Sequence, residues 1–232
     1  MANCPRYAIY YAPAPGSDLD RFGAELLGYD AYEGADLPFP ATAERPDWHD
    51  ITEDPRKYGF HATLKAPISL ASGKTEDGLV AACESFAATP RPLPVIEPVV
   101  DSISGFIAIV PANASAELQC LGADCVTAFD PFRASLEPED RERRNPSRLT
   151  PRQREHLDAW GYPYVMEDFR FHMTLTGRLE TARRADVLAM LRRSFSTIKL
   201  KTLQVDRLAL FRQDDASARF RIIGHWPLRG QA

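Results

Sequence analysis

Apolar and polar residues alternate along RYAIYYAP (6–13), the period of two expected of a half-buried strand. The period then lengthens. In GSDLDRFGAELLGY, Leu19, Phe22 and Leu26 recur at helical spacing behind Ser17, a residue suited to capping a first turn. After a Pro-rich connection, YGFHATLKAPI reads as a second strand and TEDGLVAACESFAA as a helix opened by Thr75. LPVIEPVVDSI reads as a third strand whose prolines predict a bend or a sheet edge.

The pattern then starts again. GFIAIVPA (105–112) resembles the opening strand, SAELQCLGADCVTAF is helical, FRFHMTLTG is a strand, TARRADVLAMLRRSF a helix and LQVDRLALF a strand. RFRIIGHWPL (219–228) adds one more strand. The order strand, helix, strand, helix, strand thus occurs twice, which predicts an internal duplication with its boundary near Ser102 to Gly105. The expected lobes are residues 1–103 and 104–232, together one bilobal unit.

The copies differ in what precedes the second strand of each: residues 29–57 in one and 131–168 in the other. Long connections of this kind are often functional. The second holds PEDRERRNPSRLTPRQREHLDAWGYPY, a charged run and a helix capped by Thr150 and begun by Pro151. Its plain reading is a solvated surface helix; its functional reading is an Arg-bearing lid over an anionic substrate.

The second strands of the two copies share a spelling. GFHATLKA (59–66) returns as RFHMTLTG (170–177), and with 5 His in 232 residues two Phe-His-x-Thr-Leu matches are not a product of chance. On a strand His61, Thr63 and Lys65 share one face while Phe60, Ala62 and Leu64 share the other. Arg170, His172, Thr174 and Thr176 divide in the same way from Phe171, Met173 and Leu175. One copy alone would be a solvent-facing histidine beside a threonine chosen for β-propensity. Two copies in equivalent places allow a pseudo-twofold cleft with a His-Thr pair from each lobe.

Paired histidines suit phosphodiester chemistry, in which one group takes a proton from the attacking oxygen and another gives one to the leaving oxygen. Threonine hydroxyls two residues on would donate to the non-bridging phosphate oxygens, where charge builds. Lys65, Arg170, Thr176 and Tyr10 are candidate substrate contacts; exposure for the two cations and core packing for Tyr10 are the plain alternatives. A zinc site is the rival reading of two histidines. His49, His156 and His225 form no ligand-like spacing with the pair, and no H-E-x-x-H or C-x-x-C occurs, so no metal or other cofactor is expected. No G-x-x-x-x-G-K-[ST] phosphate loop, G-x-G-x-x-G or G-x-S-x-G is present.

Composition narrows the setting. A chain with 44% hydrophobic and 26% charged residues reads as globular, and its net charge of -4 argues against sequence-blind binding to duplex DNA. No apolar run is long enough for a membrane span and the N-terminal stretch lacks a signal peptide's pattern, so a cytoplasmic location is expected. Cys4, Cys83, Cys120 and Cys125 make no paired motif and read as buried or idle thiols.

FHATL and FHMTL, one per lobe, resemble the paired H-x-T motifs of the 2H phosphoesterase superfamily. KYGFHATLKAP with GYPYVMEDFRFHMTLTGRL is further similar to that superfamily's branch of phosphonate-metabolism proteins, encoded beside carbon–phosphorus lyase systems. The resemblance implies an α+β fold of two lobes, each an antiparallel sheet flanked by helices, around a central cleft. It implies His61 and His172 as the acid/base pair, Thr63 and Thr174 as phosphate-holding hydroxyls, and a small phosphorylated substrate, a sugar or nucleotide-like cyclic ester. The expected activity is that of a metal-independent cyclic phosphodiesterase. Ligase-like action on an RNA end uses the same chemistry, and a binding module that recognises a phosphate without turnover is the rival from another class. The oligomeric state is open.

Overall fold

The computed structural model describes residues 5–41 and 45–231. β1 (Arg6–Tyr11) leads into α1 (Asp18–Leu27), where the Ser17 side chain accepts from the Asp20 amide and Gly28 closes the helix in the left-handed region at φ 68°. The first insertion follows, with the short strands β2 (Tyr29–Asp30) and β3 (Ala35–Asp36) and the single-turn helices α2 (Trp48–Ile51) and α3 (Glu53–Arg56). Then come β4 (Ala62–Ser69), α4 (Glu76–Ala88), β5 (Val95–Ile96) and β6 (Pro98–Ile103). β5 and β6 are the predicted third strand, broken at Glu97, and β6 is a sheet edge as its prolines predict.

The second half runs through β7 (Phe106–Pro111), α5 (Ala116–Phe129), α6 (Pro138–Glu142), α7 (Pro151–Trp160), β8 (Met173–Thr174), α8 (Thr181–Ser196), β9 (Leu203–Gln204), β10 (Arg207–Gln213) and β11 (Arg221–Pro227). Thr75, Ser115 and Thr150 cap α4, α5 and α7 through their side chains, and Gln153 completes a capping box on Thr150.

Seven strands form one antiparallel sheet in the order β11, β10, β1, β4, β8, β7, β6; β2–β3 and β5–β9 are two small separate pairs. From the middle outward, β4 and β8 carry the two motifs, β1 and β7 are the opening strands, and β10 and β6 are closing strands. Each closing strand lies with the opening strand of the other predicted repeat. The cause is local: β6 and β7 are joined by Ser104–Gly105 alone, both at positive φ (49° and 94°), the two-residue turn that suits a right-twisted hairpin. So short a turn pairs β6 with β7 and leaves the edge of β1 to β10. The α+β architecture is as expected, and the two half-sheets meet at a narrow seam, the registered pair Ala62↔Met173.

α1, α4, α5 and α8 cover one face. Ile9, Leu64 and Met173 from the strands pack there with Leu26, Leu79, Leu121, Val187 and Leu191 from the helices, all essentially dry. The other face carries only a smaller cluster, in which Tyr10, Phe211 and Phe220 meet Tyr29 and Ala31 of the first insertion. Its middle is left open between the two insertions. Cys83 and Cys125 are buried, and burial pushes the Cys83 thiol up to about 12; Cys120 is exposed, and Cys4 lies outside the described residues. No described helix is long and apolar enough to cross a membrane.

Candidate active site

On the open face the two motifs come together. His61, Thr63, His172 and Thr174 line one cavity of about 330 Å³. The alternation predicted from sequence holds for them: Phe60, Ala62, Phe171, Met173 and Leu175 are buried in the main core, while the His and Thr side chains turn away from it.

The histidines sit just outside the strand ends rather than within strands, since β4 begins at Ala62 and β8 at Met173. The backbone bends there, and each imidazole uses the bend in the same way. His61 Nδ1 lies 2.9 Å from the Gly59 carbonyl oxygen and His172 Nδ1 lies 2.7 Å from that of Arg170, in both cases the residue two positions earlier. A carbonyl can only accept, so each Nδ1 carries the proton and each Nε2 presents a lone pair. Thr63 Oγ1 stands 3.4 Å from His61 Nε2. Gly59 reaches this geometry at φ 74°, with no room for a Cβ, which would meet the Ala31 Cβ at 2.6 Å.

Tyr10 stacks on His61 with ring centroids 3.8 Å apart and planes 20° from parallel, and its ring also lines the cavity. Burial pushes the His61 imidazole down to about 4, and a positive charge on His172 would push it further. Burial lowers His172 as well, against the pull of its carbonyl partner. With both lowered by burial, the two rings are neutral near pH 7.

The other sequence candidates divide. Arg170 is exposed, lines an adjoining cavity of about 380 Å³ that reaches His172, and lends its carbonyl to that ring. Lys65 does not belong to the site. The register of β4 on β1 shifts so that Tyr10 pairs with Thr63 but Ile9, a core residue, pairs with Lys65. Lys65 Nζ is thereby carried to the Asp130 carboxylate at 2.7 Å and the Val126 carbonyl at 3.2 Å, almost fully buried. Thr176 is likewise taken up by the fold: its hydroxyl accepts from the Ile107 amide and donates to the Gly177 carbonyl, although the residue borders the cavity.

Three arginines not singled out from sequence face the cavity. Arg6 is tied to Gln213, Arg144 lies over the Tyr162 ring, and Arg178 stands exposed. Among the described residues neither Arg144 nor Arg178 has a carboxylate partner; the lining contains a single acid, Asp54. Arg144 lies in the charged run, but Arg141, Arg143 and Arg152 nearby are paired with Asp158, Asp140 and Asp168. The second insertion is thus partly a surface helix with internal ion pairs and partly a wall of the cleft. Among the described residues, no three His, Cys, Asp or Glu side chains gather where a metal ion could be held.

The family model for a protein of unknown function, DUF1045, matches residues 63–221. The chain belongs to the DUF1045 family. The match begins at Thr63, so it takes in the second motif whole and the first from its threonine onward. Relatives of this DUF1045 chain include proteins named "Ribose 1,5-bisphosphate phosphokinase PhnN". That of Janthinobacterium sp. (strain Marseille) is 33% identical over 236 residues, covering 97% of this chain and 51% of the relative. That of Laribacter hongkongensis (strain HLHK9) is 32% identical over 221 residues, covering 94% and 50%. The chain spans about half the length of these curated relatives. Among solved structures, E. coli LigT complexed with 3'-AMP aligns over 98% of this chain and 99% of its own at 12% identity and a TM-score of 0.42. A conserved protein of unknown function from Agrobacterium tumefaciens aligns over 95% and 85% at 13% identity and a TM-score of 0.44.

Proposed function

We propose that this protein is a metal-independent cyclic phosphodiesterase that opens a small cyclic phosphate ester with His61 and His172 as its acid/base pair. One observation carries the reading: both imidazoles give Nδ1 to a backbone carbonyl and leave Nε2 to a shared cavity. A phosphodiester is an anion, and its charge raises both imidazoles against the lowering by burial. The first proton taken up opposes a second, because the rings repel each other when charged. One proton between two histidines is the state that acid/base catalysis requires: the neutral ring takes a proton from water as it attacks phosphorus, and the charged ring gives its proton to the departing oxygen. Thr63 and Thr174 donate to the non-bridging oxygens. Arg144 and Arg178, without carboxylate partners among the described residues, supply the attraction for an anion.

A ribose phosphate ester is the substrate class most in keeping with the relatives' name. The phosphokinase activity in that name is said of proteins twice this length, and this chain holds no G-x-x-x-x-G-K-[ST] loop, so the esterase reading is the one its residues favour. The test is phosphorus NMR on the purified protein with nucleoside 2',3'-cyclic and ribose 1,2-cyclic phosphates. The expected result is conversion of at least one ring to a monoester. Binding of these compounds with no ring opened overturns the reading in favour of a binding module.

A further inference from the structure

The two histidine anchors are alike at the ring and unlike behind it. The Gly59 carbonyl is fixed by packing: the Gly59 amide donates to the Arg56 carbonyl, the Lys57 carbonyl accepts from the Phe220 amide, and Ala31 and Tyr29 close over the glycine. The Arg170 carbonyl belongs to an exposed residue that follows a single 3-10 turn, Met166–Asp168, whose first residue is held at a positive φ of 50°. What holds that turn is charge. Asp168, at the end of the turn and two residues before Arg170, accepts from Arg152 Nε at 2.8 Å and Arg152 Nη2 at 3.2 Å, and from Gln153 Nε2 at 3.2 Å. His156 Nδ1 lies 3.6 Å from the same carboxylate, beyond hydrogen-bond reach. Both hydrogen-bond partners, Arg152 and Gln153, come from α7, whose first turn is set by Thr150 and Gln153. The next residue, Phe169, is held by Gln119 on its carbonyl and by Gly122 of α5 against its ring.

We infer that Asp168 is the positioning residue of the second histidine: clamped to α7, it fixes the Met166–Asp168 turn so that the Arg170 carbonyl stays on His172 Nδ1 and the Nε2 lone pair stays aimed into the cleft. No atom of Asp168 needs to reach the reacting phosphate. The clamp makes the second insertion part of the proton-transfer machinery through its backbone, separately from Arg144, which faces the cleft directly. A carbonyl that drifts from Nδ1 lets the ring take its other tautomer, with the proton on Nε2, where it can no longer accept one.

The inference rests on the acid/base reading of His172 for its effect on turnover, but its structural half is read without catalysis. In protein labelled with nitrogen-15 in its histidines, long-range proton–nitrogen correlation spectra report which ring nitrogen carries the proton, and a His172→Gln sample assigns the signals. The wild type shows His172 protonated at Nδ1. Asp168→Ala shows a mixture of the two tautomers at His172 with His61 unchanged, and kcat on the ring-opening reaction falls about tenfold to a hundredfold while KM changes less than about twofold. Asp168→Asn, which keeps an acceptor oxygen but not the charge, lies between. Asp158→Ala, which removes a different ion pair of α7, with Arg141, leaves tautomer and kcat as in the wild type. A lowered melting temperature in Asp168→Ala with the His172 tautomer and kcat unchanged overturns the inference and makes Asp168 a stabilising residue only. Mixed tautomers in a protein that opens no ring uphold the positioning role and overturn the catalytic reading instead.

Discussion

His61 should make this protein lose stability in mild acid, and replacing it by asparagine should remove that loss. The ring has an ordinary pKa of 6.5 in the unfolded chain and about 4 in the folded one. A folded value below the unfolded value means that the unfolded state binds protons first, so the contribution of His61 is complete above pH 6.5 and is lost as pH falls from there toward 4. Between pH 7 and pH 5 a shift of that size corresponds to about 2 kcal/mol by linkage. The ring is only half-buried and its cavity is open to water, which screens the effect to about 1 kcal/mol. Asp20 works the other way: burial raises its carboxyl to about 6, so its penalty is relieved over the same interval.

The two are separated by taking the difference between proteins. Urea unfolding of wild type and His61→Asn at pH 7 and pH 5 gives four free energies, and Asp20 contributes equally to both proteins. An asparagine amide can still donate to the Gly59 carbonyl, so the anchor is kept while the titration is removed. The expected result is that the variant loses about 1 kcal/mol less on acidification than the wild type. Equal losses in the two proteins refute the claim that His61 is held neutral, and with it the argument that an anion must enter before the site can hold a proton.

His61→Ala or His172→Ala should each lower kcat about a hundredfold to ten-thousandfold, with the double variant little worse than the worse single one, because the two rings act in one step. Arg144→Ala and Arg178→Ala should each raise KM about tenfold in steady-state assays and leave kcat nearly unchanged, as expected of charges that hold an anion but do not transfer protons. Gly59→Ala combines left-handed strain at φ 74° with the contact on Ala31 and should cost about 2–4 kcal/mol, seen as a lower melting temperature. Treatment with a chelator should leave the rate of ring opening intact; loss of activity restored by zinc or manganese would refute the metal-free scheme.

The meeting of the four motif residues was legible because its signal is periodic and local. A strand puts His61 with Thr63 and His172 with Thr174 whatever the strand pairs with, so alternation sufficed to find all four. Helix caps at Ser17, Thr75 and Thr150 were equally local and equally readable. What failed depended on partners. Lys65 has the parity of His61, but a register shift against β1 turns it to Asp130, and nothing in KAP announces that shift. Thr176 looked like a third polar group of its strand, yet β8 ends at Thr174 and the hydroxyl serves the Ile107 amide. Arg144 was hidden among paired neighbours, since a run of charges does not say which member lacks a carboxylate. The exchange of β6 and β10 was announced only by Ser104–Gly105, a two-residue turn that can be recognised in ISGF once a hairpin is suspected.

On the proposed reading, the two like motifs and their unlike surroundings divide the work between them. The motifs supply like imidazoles with like carbonyl anchors on either side of the Ala62↔Met173 seam, and so give no reason for one ring to be the acid and the other the base. The residues around the two motifs, from the opening strands as well as the second insertion, break that equality. On one side Tyr10 stacks on His61 and Tyr58, Arg6 and Arg144 surround the approach; on the other, Phe106 lies 5.5 Å from His172, and the groove continues past Arg170, Arg178 and the exposed Tyr164. A cyclic ester has one oxygen that leaves and one face that water attacks, so the ring facing the leaving oxygen becomes the acid by placement alone. The orientation of the substrate, set by these unequal walls, therefore assigns the roles, and changing residues of the walls rather than the histidines is the way to alter which bond of the ring is opened.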